Sequence, residues 1–166
     1  MTEDIRSTPE EAARGDVPAQ FVQVIGVVVR GDTAVVAQLT NDVPPYEVET
    51  AYCHREGDGW VEGSSGNSTS GYLPTGEGIG TVVVWDEAPA TAVSARFEYA
   101  GHEQVVPVER GCALAVFDDV KEDDAFVGGP LLVGWIDAGG AEEELPRFDP
   151  PEWVRAKFRK YLEREP

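Results

Sequence analysis

The sequence predicts a mainly β fold of the α+β kind: antiparallel sheets form a sandwich-like domain, with a short N-terminal helix and a C-terminal amphipathic helix. Three observations carry that expectation. Short apolar runs rich in Val, Ile and Thr recur along the chain, 18 Gly and 12 Pro punctuate them, and helix signals occur only near the two ends. At 166 residues with 42% hydrophobic content, the chain has the size of one domain and buries roughly 70% of its unfolded surface. The expected organisation is a single compact domain over 1–166. Within it lie a helix plus antiparallel sheet over 8–63, a Gly/Ser-rich loop over 64–80, Ig-like strands over 81–138 and a helix over 152–165.

The first element is a short helix opened by Ser7, Thr8 and Pro9, where a hydroxyl cap, a proline in the first turn and the early carboxylates Glu10 and Glu11 suit the positive helix end. Gly15 to Pro18 ends it. Residues 21–30 and 33–40 are β-branched runs divided by Gly31-Asp32, which reads as a hairpin. Residues 46–55 alternate between two faces, and Glu56 to Gly59 turn the chain back into Trp60-Val61. The stretch 63–80 has few apolar anchors and reads as the longest loop. Five further strands are expected from 81–85, 91–99, 104–108, 112–117 and 130–137, giving eight or so in all. The last helix starts near Glu152, with Val154, Phe158, Tyr161 and Leu162 on one apolar face that should dock on the sheets together with Trp153.

Charge restricts function more sharply than pattern does. Against 13 Lys and Arg stand 31 Asp and Glu, a net charge of −18, and such a surface repels nucleic-acid backbones and anionic lipid. No nucleic acid and no membrane is expected as a partner, whereas a basic protein partner fits. Residues 152–166 are mildly basic, with five Lys or Arg against three Glu. No apolar run reaches membrane-spanning length and the first residues lack a signal pattern, so the expected location is cytoplasmic. Cys53 and Cys112 lie in separate apolar stretches and read as buried reduced thiols.

Two stretches carry a family resemblance: RGDTAVVAQLT with YEVETAYCHREGDGWVEGSSGN, and SARFEYAGHEQVVPVERG. They resemble small acidic β-rich proteins of actinobacterial type, over roughly residues 8 to 138. The resemblance implies a fold and no activity. By pattern alone the first half is also similar to NTF2-like and cystatin-like sheets, and the second half to Ig-like strands.

Candidate chemistry is sparse. If the first sheet curls around its helix, Tyr46, Tyr52 and Trp60 line a concave pocket with Glu47 or Glu49 at its mouth. The competing reading puts these aromatics in the core. Asp118, Asp119, Glu122, Asp123 and Asp124 offer hard oxygens to a divalent cation, but they lack calcium-loop spacing and Lys121 lies among them, so a solvated acidic loop is the alternative. His54 follows Cys53 on a strand and faces away from it, which excludes a thiolate–imidazole dyad between them. His102 falls in a turn. The glycines of 76–80 lead into a strand where a phosphate-binding loop would open a helix. No cofactor and no catalytic residue is therefore expected. The leading expectation is a non-enzymatic interaction or regulatory protein meeting a basic partner; the alternative is a small-molecule binder or minor enzyme with an NTF2-like cavity.

Overall fold

The computed structural model describes residues 4–40, 47–75, 79–121, 124, 129–147 and 150–162. The chain divides into two compact units, Met1–Leu73 and Pro74–Pro166. The fold is mainly β, as the sequence predicts.

In the first unit, helix α1 (Pro9–Arg14) is capped by the Thr8 hydroxyl, which accepts the Glu11 amide at 3.2 Å. A 3-10 turn at Ala19–Phe21 follows. Strands β1 (Val22–Arg30), β2 (Thr33–Thr40), β3 (Glu47–Glu56) and β4 (Gly59–Gly66) then form an antiparallel sheet in sequence order. Two-residue turns at Gly31-Asp32 and Gly57-Asp58 close the first and third hairpins. The helix covers one sheet face: Ala12 and Ala13 pack on Ala34, Val36, Ala51, Cys53 and Trp60. Alanines on both sides of this contact let the helix lie close to the strands. Period-2 alternation sends Val35, Ala37, Leu39 and Val61 to the opposite face, where they are also buried.

The stretch 64–80, expected as a loop, is largely strand. β4 continues to Gly66, β5 spans Ser70–Thr75 across the unit boundary, and β6 begins at Ile79. Its anchors are backbone and space. The Thr50 hydroxyl donates to the Ser68 carbonyl at 2.6 Å, Gly71 lies against Val35 and Thr50, and Leu73 is fully buried.

The second unit contains β6 (Ile79–Glu87), β7 (Ala92–Tyr99), β8 (His102–Pro107), β9 (Cys112–Lys121), β10 (Leu131–Asp137), β11 (Glu142–Glu144) and helix α2 (Glu152–Leu162). Four strands pair in the order β11-β10-β7-β8 and three in the order β5-β6-β9. Eleven strands are thus present among the described residues, against the eight expected. Trp85, Phe97, Phe117, Val120, Val133 and Trp135 fill the interior. Helix α2 departs from expectation at Trp153, which is 70% exposed, while Val154 is half-buried. The side chains of Phe158, Tyr161 and Leu162, expected on its docking face, lie outside the described residues.

Candidate functional site

Of the five residues expected to line a pocket in the first half, the four described ones do not share a face. Tyr46 lies outside the described residues. Glu47, Glu49 and Trp60 are on the α1 side of the sheet. There Glu47 accepts the Thr40 hydroxyl at 3.3 Å and Glu49 accepts the Gln38 amide at 2.6 Å. Trp60 is 4% exposed in the core beneath α1, with the Arg55 guanidinium 4.7 Å from its ring centre. Tyr52 points the other way, because the pleat of β3 separates residue 52 from 49, 51 and 53. It borders a slot of about 310 Å³ with Thr50, Ser64, Ser65, Ser70 and Tyr72. The arrangement therefore places Trp60 in the core and leaves Tyr52 beside a hydroxyl-lined depression.

The thiols are inert. Cys53 is fully buried, its Sγ 3.6 Å from the Pro9 carbonyl, and burial, with Glu62 and Glu10 adding to it, raises its pKa from 9.0 to about 12. Burial, then Glu87 and Asp86, raises Cys112 to about 11. Both are free cysteines. Neither is a thiolate nucleophile at neutral pH.

Two carboxylates of the acidic stretch after Phe117 have separate partners. Asp118 accepts the Thr81 hydroxyl at 2.5 Å, and Asp124 accepts the Tyr99 hydroxyl at 2.9 Å. Glu122 and Asp123 lie outside the described residues. Among the described residues no three His, Cys, Asp or Glu side chains converge to hold a metal ion.

What the fold does build is a cavity of about 550 Å³ in the second unit, between the β7–β8 turn and the end of β9. Tyr99 and Phe117 supply its aromatic wall, with ring centres 6.2 Å apart and planes at 70°. His102, Glu103, Asp118, Asp119 and Lys121 supply its polar lining. Two local features set this shape. Ala100 and Gly101 both take positive φ, 48° and 80°, as the type I′ form of a two-residue hairpin turn between Tyr99 and His102 requires. In β9, Val82 pairs with Phe117 but Gly80 with Val120, so Asp118 and Asp119 together oppose Thr81 as a bulge, with Asp119 at φ 60°. The bulge leaves both aspartates exposed.

Hydrogen bonds fix the wall. The Tyr99 hydroxyl accepts the Lys121 amide at 3.2 Å while donating to Asp124, and the Gln104 amide group donates to the Val116 carbonyl at 2.8 Å. Glu103 is held from the outer face of β7 by Arg96 at 2.7 Å, and Arg96 also binds Glu142. Hydrogen bonds to Glu142 first, then Glu103, push the Arg96 pKa up. Tyr99, Phe117, Glu103 and Gln104 were not singled out by the sequence. The available signal was the pairing of a Tyr-Ala-Gly-His turn with an Asp-Asp step inside a strand, both of which mark bends.

Compared with protein families, curated proteins and solved structures, the chain matches none.

Proposed function

We propose that the protein is a non-enzymatic binding module for a basic segment of a partner protein, received at the cavity bounded by Tyr99, Phe117, Glu103, Asp118 and Asp119. The composition of that lining supports the reading: the exposed Asp118 and Asp119 and two aromatic rings meet one lysine, while the Glu103 carboxylate is turned to Arg96, and aromatic faces together with carboxylates suit a guanidinium or ammonium group. The net charge of −18 would steer a cationic segment toward any such mouth. Two free, buried thiols are in keeping with a reducing, cytoplasmic setting.

Titration with an arginine-rich peptide by calorimetry tests this. Asp118→Asn with Asp119→Asn removes two charges while Asn keeps an acceptor for Thr81 and tolerates positive φ at 119. The double variant should melt as the parent does, bind roughly tenfold more weakly and show a shallower dependence on salt. Equal affinity in parent and variant would reject the site. A second reading, a small-molecule binder, is favoured by one observation, the hydroxyl-lined slot at Tyr52. Neutral polyols that raise the melting temperature of the double variant as much as that of the parent would favour it instead.

A further inference from the structure

The protein carries 31 Asp and Glu, yet none occurs from Val17 to Gly31, between Asp16 and Asp32. That acid-free stretch contains β1, an edge strand of the first sheet whose ladder partner is β2. An edge strand exposes a row of backbone groups that can pair with another chain, and natural proteins guard such rows with charge, proline, bulges or cover. Guards are visible on three other edges. β11 is three consecutive glutamates, β8 carries Glu103 and ends at Pro107, and the Trp60 backbone on β4 exchanges two 2.8 Å hydrogen bonds with Arg6. On β1 there is one bulge, at Ile25, and the part beyond it, Gly26–Arg30, has neither carboxylate nor proline.

The direction of the exposed groups follows from the hairpin. Arg30 and Thr33 flank the two-residue turn and form its hydrogen-bonded closing pair, so Val28 and Gly26 also bond inward to β2. Val27 and Val29 then turn their N–H and C=O groups outward. Consistent with this, the Val29 carbonyl accepts the guanidinium of Arg30 at 3.0 Å. Val29 is 42% exposed.

We infer that β1 is a self-association edge, pairing antiparallel with β1 of a second copy about a two-fold axis at Val28. In that register Val27 faces Val29 of the other copy twice, giving four backbone hydrogen bonds. Arg30 faces Gly26, and no like charges meet. Two chains of charge −18 repel, and a stretch without carboxylates is a place where they can approach. Added salt therefore tightens this dimer, the opposite of its effect on a basic partner.

Sedimentation equilibrium of the whole chain across the micromolar range, at low and raised NaCl, tests the proposal. The wild type should reach twice the chain mass and self-associate more strongly as salt rises. Val29→Lys, at an exposed position, should weaken the dimer by roughly tenfold or more, because symmetry counts each change twice. Val93→Lys, at a valine 49% exposed in the second unit, should leave it intact. On the wild type alone, the Val27 and Val29 amides should exchange more slowly with deuterium as concentration rises. A wild type that stays monomeric, a dimer indifferent to Val29→Lys, or one that salt dissociates would overturn the assignment.

Discussion

Cys53 and Cys112 show how a single buried group shapes the pH response. In the unfolded chain each thiol ionises near 9.0, whereas in the fold Cys53 is held up to about 12 and Cys112 to about 11, chiefly by burial. Raised folded values mean that the fold favours the protonated form. Its stabilising contribution is complete below pH 9.0 and is lost as pH rises through the folded values of about 11 and about 12. Unfolding free energy should therefore fall from about pH 9 upward by as much as ~1.4 kcal/mol per pH unit for each thiol. Urea unfolding on both sides of that threshold should show the fall, and it should be shallower in a Cys53→Ala, Cys112→Ala chain. An identical slope in the two chains would show that other groups govern alkaline unfolding. Ala100 and Asp119 make a different point at the same scale. Each is a non-glycine residue in the left-handed region, each shapes the same cavity, and each such residue costs roughly 1–2 kcal/mol.

At the scale of elements, β5 depends on close approach more than on propensity. A Cβ on Gly71 would stand 2.6 Å from Val35 Cγ1 and 2.8 Å from Thr50 Cγ2, both on buried residues. Gly71→Ala should lower stability by about 1–3 kcal/mol in urea unfolding. Gly66→Ala, with nothing within 4 Å of the added atom, should change it by less than about 0.5 kcal/mol. Equal effects would mean that β5 is not seated by this contact. Gly71 also explains what the sequence left hidden. β1 to β3 are legible because Val, Ile and Thr announce their pleat, and α1 because Thr8 and Pro9 mark its start. β5 carries Ser, Gly, Tyr and Pro, and the close approach of Gly71 to Val35 and Thr50 leaves no room for a side chain, a long-range condition that local pattern does not encode. The cavity at Tyr99 was hidden for a related reason. His102 reads in isolation as a turn residue and Asp118 as part of an acidic loop, and only the packing of β8 beside β9 brings them to one opening. Trp60 was legible as an aromatic on a strand, but its choice of the α1 face was settled by the β4 register against β3.

Across the whole molecule, the balance of 31 acidic against 13 basic side chains sets a repulsion that every native contact must overcome. Favourable pairs exist, such as Arg96 with Glu103 and Glu142, or Arg147 with Glu98 at 3.0 Å. Pairs reaching the surface contribute little, and salt screens them along with the repulsion. The excess of carboxylates decides the sign. Unfolding moves like charges apart, so self-repulsion favours the unfolded chain, and screening it should stabilise the fold. At neutral pH the melting temperature should rise as NaCl goes from a few millimolar to about 0.3 M, where the Debye length has fallen to roughly 6 Å. A gain of about 1 kcal/mol corresponds to about 2–4 °C for a chain of this length. Near pH 4.3, where the net charge vanishes, the repulsion is gone and only the attractive pairs remain to be screened. There the same salt should leave the melting temperature flat or lower it slightly. Scanning calorimetry at the two pH values resolves this, and a melting temperature that falls with salt at neutral pH would show that ion pairs outweigh the excess charge.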